Sequence, residues 1–151
     1  MPIHVEVVSR ERKLFEEKEA DMVLVPGVEG QMGILPNHSP LISLLSMGEL
    51  VIRKGNAEEH FAVFGGVVEV RPDKVMVLAE EADFADEIMI QEMEEARARA
   101  AKMLEEGAPP DREKFYAQEL KRAELALNIA RRNQGGGGSM RIRVLGQDDE
   151  S

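Results

Sequence analysis

The chain has no cysteine and no tryptophan, one tyrosine and only five phenylalanines. Without cysteine there is no disulfide framework, no thiol nucleophile and no thiolate metal site. Histidine is scarce as well. His4, His38 and His60 show no local spacing that resembles a zinc site. No apolar run approaches the roughly 18 residues that a transmembrane helix requires, and no signal-peptide pattern precedes the first strand-like segment. The expectation is a soluble, cytosolic protein that reaches a membrane only through a partner. Positive charge is in deficit: 19 Lys and Arg against 29 Asp and Glu give a net charge of −10 over 151 residues. That sign argues against a phosphate-neutralising nucleic-acid surface and against adsorption to anionic lipid. A phosphate-cradling glycine loop, a nucleophile elbow and a kinase motif are all missing, so an enzyme would have to be built from few parts.

What is present divides into two halves of different period. From Pro2 to about Ala85 the chain reads as short strands. Ile3, Val5 and Val7 alternate with His4 and Glu6, Met22–Val25 stops at Pro26-Gly27, and Val68 and Val70 alternate with Glu69 and Arg71. Lys54-Gly55-Asn56 and Arg71-Pro72-Asp73-Lys74 are turn signals. Many short strands with no helix between them predict an all-β sandwich or barrel. After Ala85 the period becomes helical. Met89, Met93, Ala96, Ala100 and Met103 form one stripe; Tyr116, Leu120, Ala123, Leu127 and Ala130 form another. Gly107 and Pro109-Pro110 break them, which predicts an antiparallel helical hairpin capped by Asp83 or Asp86 and by Asp111. Its alanine-rich seam buries little area and holds weakly, so the hairpin should be detachable or need something else to lean on. The domain boundaries read as 1–85, 86–133 and 134–151. Gly135–Ser139 is a flexible linker by composition, whether native or added; Met140–Leu145 reads as a short strand, and Gln147–Ser151 is an acidic end, in a tail with no assigned function.

Three groups of side chains stand out. His38 lies in the proline-bounded loop Pro36-Asn37-His38-Ser39-Pro40 and suits a backbone hydrogen bond or a contact to a partner. Glu94 and Arg97 stand three apart on a helix, with Arg99 on an adjoining face, as a surface ion pair would. Lys121, Arg122, Arg131 and Arg132 make the second helix basic towards its end. That is either a solvated face at the negative end of the helix dipole or a handle for an acidic partner or phosphates.

The segment Glu29-Gly30-Gln31-Met32-Gly33-Ile34-Leu35-Pro36-Asn37-His38-Ser39-Pro40-Leu41 closely resembles the EGxxGxLPxHxPLL signature of the epsilon subunit of F-type ATP synthases. Gly48–Ile52, Phe61–Val70 and Val75–Glu80 resemble the family's following blocks, and the resemblance runs from Pro2 to about Asn133. It implies an N-terminal β-sandwich, a C-terminal helical hairpin and a central-stalk subunit without chemistry of its own, peripheral on the cytoplasmic side of a bacterial membrane. The implied partners are the gamma subunit, the c-subunit ring and the catalytic alpha/beta head. The implied role is to couple proton flow to ATP synthesis, with the hairpin suppressing hydrolysis when it extends into the head. Glu29, Gln31, Met32 and His38 then lie towards the c ring, and Lys121, Arg122, Arg131 and Arg132 towards the head.

No cofactor is required, but ATP is a candidate regulatory ligand. Met93-Glu94-Glu95-Ala96-Arg97-Ala98 is similar to an (I/L)DxxRA motif of nucleotide-binding members, with Glu for Asp. It implies Glu94, Arg97, Arg99, Arg131 and Arg132 as ligands, although Ile129 and Asn133 stand where such members carry arginines. Two other classes stay open at this level: a free-standing sandwich module that dimerises through its helices, and a hydrolase dependent on His38.

Overall fold

The computed structural model describes residues 2–135 and 140–144. The chain divides into two compact units at Phe84/Ala85, and the segment from Met140 belongs with the first. That unit contains β1 (Ile3–Val8), β2 (Lys13–Ala20), β3 (Met22–Gly27), β4 (Gly30–Ile34), β5 (Leu41–Lys54), β6 (Ala57–Val70), β7 (Lys74–Ala79) and β8 (Ala82–Phe84). It is a β-sandwich, with hydrogen-bonded order β2-β1-β7-β6-β5-β3-β4 and β8 also paired to β6.

The sandwich is built on its two longest strands. β5 and β6, 14 residues each, are antiparallel neighbours long enough to serve both layers. Their register runs from Leu41↔Val70 to Leu45↔Gly66, skips a step, and resumes from Met47↔Phe64 to Lys54↔Ala57. The first stretch of β6 pairs with β8 and the last with β7. The change falls at Gly65-Gly66, both at positive φ. At Gly66 a Cβ would stand 2.1 Å from the Leu78 carbonyl oxygen, so only glycine lets the bent strand approach β7 this closely. Inside, Ile3, Val5 and Val7 pack with Val68, Val70, Val75, Val77, Val23, Val25, Leu50, Ile52 and Val63. Phe15, Phe61 and Phe84 form a ring cluster with centroids 4.7 to 6.3 Å apart.

β2 has no clear signal in the sequence. Its segment Lys-Leu-Phe-Glu-Glu-Lys-Glu-Ala is mostly charged, and only Phe15 and Ala20 are buried. The strand forms because β1 presents a partner edge, with Ile3↔Ala20 and Val7↔Phe15 in register.

The second unit opens with a 3-10 turn, Ala85–Glu87, followed by α1 (Ile90–Glu105) and α2 (Pro110–Gln134). Gly107 at φ 82° closes the first helix and Pro110 opens the second, as their stereochemistry favours. The expected caps are corrected. α1 starts behind Met89 and α2 behind Pro109, neither with a side-chain cap. Asp83 precedes the 3-10 turn and Asp86 lies within it, both short of α1, and Asp111 already lies inside the first turn of α2.

The stripes are corrected in part. Met89 precedes the helix and is 62% exposed, and Met103 is also exposed. Ala100 is the buried residue of α1; α2 buries Ala123, Ala126, Leu127, Ile129 and Ala130. Gln134, assigned to the tail by composition, is the last residue of α2. Its side-chain amide donates to the carbonyls of Ala85 at 3.0 Å and Ile88 at 2.8 Å, which ties the end of the hairpin to its beginning.

The segment after the glycines is corrected too. Met140–Arg141 forms a short strand, β9, parallel to β6 with Ala57↔Met140 and Glu58↔Arg141, and Ile142 is buried in the sandwich core. The expected strand over Met140–Leu145 is therefore two residues long among those described, and Leu145 with the acidic end lies outside the described residues.

Candidate functional site

The most conspicuous surface of the sandwich is apolar. Ile42 and Leu44 on β5 are 72% and 60% exposed, although β5 buries Leu45 and Leu50–Ile52. Leu44 stands opposite Val67, and Val67 opposite the exposed Leu78, so one apolar row crosses three strands. The next row, Ile42–Glu69–Met76, shares the face, and Arg71 pairs with Glu69 at 2.7 Å. At one end of the β5 stretch the Val28 amide donates to the Leu44 carbonyl at 3.1 Å. At the other, the Asn37 amide donates to Pro72, beside the Leu41↔Val70 pair. Leu41–Leu45 therefore runs from the His38 loop to the Val28-Glu29 turn, and exposed Val28 and Leu35 extend the apolar strip. Contiguous apolar surface of this kind marks a protein contact more often than chance exposure.

The four residues the family resemblance places towards the c ring fall at the two ends of this strip. Glu29 is exposed in the β3–β4 turn and Gln31 is exposed on β4. Met32 is half-buried and packs against the sandwich core. His38 is half-buried; its Nδ1 lies 2.8 Å from the Ser39 carbonyl and its amide donates to Leu35. Asn37, at φ 67°, makes the turn that places it. The length of β4, about 13 Å at ~3.3 Å per residue, separates Glu29 from the His38 loop. They are two ends of one surface and not one cluster.

In the hairpin, Glu94 does not pair with Arg97. It reaches across to α2, where Arg131 Nη2 donates to Glu94 Oε1 at 2.7 Å, both side chains about half exposed. Arg97 and Arg131 line one shallow cleft with Glu124, Leu127 and Asn128. Arg99 lines a different one, with Met103, Phe115, Tyr116 and Glu119. Two residues apart on a helix is about 200°, so Arg97 and Arg99 cannot serve the same ligand face. Thus Glu94, Arg97 and Arg131 come together and Arg99 does not. Ile129 is fully buried, and Asn133 donates to the Ile129 carbonyl at 2.8 Å.

The basic residues of α2 are spread along it. Lys121 and Arg131 are ten residues, or about 15 Å, apart on the axis. Lys121 and Arg132 are exposed, and burial lowers the pKa of the Arg122 guanidinium below its ordinary value. Among the described residues, His4, Glu6 and Glu16 can gather three potential metal-ligating atoms. Lys13 lies 3.0 Å from Glu16, and Lys74 lies 3.6 Å from Glu6, so cationic charge is already supplied there.

A two-part chain with an apolar sandwich face and a separate hairpin can now be set against known proteins. The family described as "ATP synthase, Delta/Epsilon chain, beta-sandwich domain" matches residues 2–85. An ATP synthase epsilon chain of Herpetosiphon aurantiacus is 44% identical over 130 residues, covering 86% of this chain and 90% of that one.

The chain belongs to the ATP synthase epsilon family.

Another epsilon chain, from Dehalococcoides mccartyi, is 41% identical over 133 residues, 87% of this chain and 94% of its own. The fold is similar to a chain in the mitochondrial ATP synthase assembly of Euglena gracilis, at TM-score 0.65 and 20% identity over 86% of this chain and 78% of that one. A chain in the central stalk and c ring of the Tetrahymena thermophila enzyme is similar at TM-score 0.56 and 16% identity, over 86% of this chain and 97% of that one. Among the described residues, no helix is long and apolar enough to cross a membrane.

Proposed function

We propose that this epsilon-family chain is a non-catalytic subunit of the central stalk of a bacterial proton-translocating ATP synthase. In this reading it binds gamma and the c ring, helps couple proton translocation to ATP synthesis, and restrains ATP hydrolysis through its helices. It sits peripherally on the cytoplasmic side of the membrane. The observation that carries the brake is the hairpin: a compact unit that opens with a 3-10 turn and whose buried side chains are mostly alanine. A seam of small side chains buries little area, so a second arrangement lies within reach of a partner's differential affinity. The apolar strip supports stalk contacts, with its Glu29 and His38 ends towards the c ring and its Leu44–Val67–Leu78 row available to gamma. Arg131 and Arg132, at the end of α2, are the cations placed to meet an acidic surface of the alpha/beta head.

The test is deletion of residues 86–134, which leaves Met140–Val144 free to dock. A complex reassembled with that chain should retain it and hydrolyse ATP faster than the intact complex. Equal hydrolysis with the shortened chain in place removes the brake. Arg131→Glu with Arg132→Glu should act in the same direction, but less strongly.

A second reading concerns ATP as a regulatory ligand. Arg97 and Arg131 adjoin one cleft, and guanidinium forks suit phosphate oxygens. ATP would compete with Glu94 for Arg131 and favour the packed hairpin. Millimolar ATP should then raise the melting temperature of the chain, and Arg97→Ala should abolish the shift. No shift with ATP ends this reading and leaves the stalk role intact.

A further inference from the structure

Glu59 is the only fully buried charged side chain among the described residues. It is satisfied from the other end of the chain. The Arg143 amide donates to Glu59 Oε2 at 3.1 Å, and Arg143 Nη2 donates to Oε1 at 2.8 Å. The same guanidinium lies 3.8 Å over the Phe84 ring. Ile142 enters the sandwich core, and Met140–Arg141 adds a parallel strand to the start of β6. Four consecutive residues thus offer strand pairing, an apolar anchor, a charge-assisted pair and a cation over a ring.

The place they grip is the root of the hairpin. Phe84 is the last residue of the first unit and pairs with Phe61 on β6; the 3-10 turn begins at the next residue. Entry to the hairpin is therefore fixed beside the strand that receives β9. On the exit side, five peptide links join Gly135 to Met140 and span at most about 18 Å. While β9 is docked, the hairpin is a loop held at both ends, and the end of α2 cannot travel further than that from Met140.

We propose that Met140–Arg143 is an intramolecular latch: docked on β6, Glu59 and Phe84, it closes the hairpin into a tethered loop, and its release is required before the helices can extend. A two-residue strand at a sheet edge is short enough to open without unfolding the sandwich. Removing Arg143 leaves Glu59 buried without its cation, which favours the open state. The regulatory meaning of the latch rests on the brake described above, but the docking and tethering do not, and they are tested without reading hydrolysis.

The absence of native cysteine makes the full-length chain suitable for paired spin labels, one at Lys18→Cys and one at Asn128→Cys. Arg143→Ala and Ile142→Asp should each broaden the distribution of label distances and raise amide exchange at Ala57–Glu59 by about tenfold or more. Exchange at Val5 and Val77 should be unchanged, and Arg143→Lys, which retains the charge, should move the distribution part of the way back to that of the unsubstituted chain. Unchanged exchange at Ala57–Glu59 would show that the segment does not dock there. Raised exchange with an unchanged distance distribution would show that docking does not restrain the hairpin. Either result overturns the latch. If exchange at Val5 also rises in Ile142→Asp, the comparison of Arg143→Ala with Arg143→Lys decides, because neither substitution alters the apolar core.

Discussion

Glu59 and His60 are neighbours on β6 with opposite outlooks, as the strand pleat requires. His60 is half-buried between two carboxylates, Nδ1 at 2.9 Å from Glu49 and Nε2 at 3.1 Å from Glu58. Burial disfavours its charge, but the hydrogen bonds to Glu49 and Glu58 outweigh that and raise its pKa above the ordinary 6.5. Burial acts on Glu58 in the opposite sense to its partners, and the hydrogen bonds from Arg53 and His60 hold its pKa below 4.5. The signs fix the window. The His60 contribution is fully present below its unfolded value and fades as pH rises through the raised folded value. The Glu58 contribution is present above its unfolded value and fades as pH falls through the lowered one. Melting temperature followed from about pH 4 to 9 should therefore be highest in the mildly acidic range. His60→Gln should cost about 1 kcal/mol there and flatten the decline on the alkaline side. A decline of equal slope in the variant would assign it to other groups.

At the scale of elements, the bend of β5 and β6 is what turns one hydrogen-bonded path into two layers. Gly65 and Gly66 both need positive φ, but their surroundings differ. A Cβ on Gly65 would meet the flexible end of Glu80, whereas on Gly66 it would strike the backbone at Leu78 and Ala79. Gly65→Ala should cost about 1 kcal/mol, mainly from the φ angle, and Gly66→Ala about 3 kcal/mol or more. Urea denaturation of the two variants measures the difference, and equal losses would mean that the strand shifts to make room. The hairpin obeys the opposite logic. Gly107 stops α1 and Pro110 starts α2, yet the side chains the two helices bury are mostly alanine, with one fully buried leucine, Leu127, and one isoleucine, Ile129.

For the whole molecule, the apolar strip is the feature that a free monomer does not explain. The strip should be silent in the isolated chain and decisive in the assembly. Leu44→Glu is expected to leave the melting temperature of the free chain within about 0.5 kcal/mol equivalent, because Leu44 is 60% exposed. It should also weaken the proposed association with gamma and the c ring tenfold or more, as measured by co-sedimentation with the stalk. Undiminished association would move the contact to another face. If the wild-type chain sediments alone as a symmetric dimer that Leu44→Glu dissolves, the strip joins two copies instead.

The amino-acid order alone determined a good deal of this protein. Alternating Ile3, Val5, Val7 and Val68, Val70 specify strands because a pleat has a period of two, and Gly107 with Pro110 divides the helices because neither suits a helix interior. The signature from Glu29 to Leu41 pointed to the epsilon family before any contact was known. What tertiary structure decided were pairings between residues far apart in the chain, which no local period encodes. The charged segment Lys13–Ala20 is a strand because β1 lies beside it. Glu94 chooses Arg131, 37 residues on, over Arg97 on its own helix. Met32 turns inward, and Leu44 faces outward in a row completed by Val67 and Leu78. Composition marked the residues after the glycines as a tail. Only the fold brings Arg143 to Glu59, 84 positions away, because burying one carboxylate requires a cation from wherever the chain can supply it.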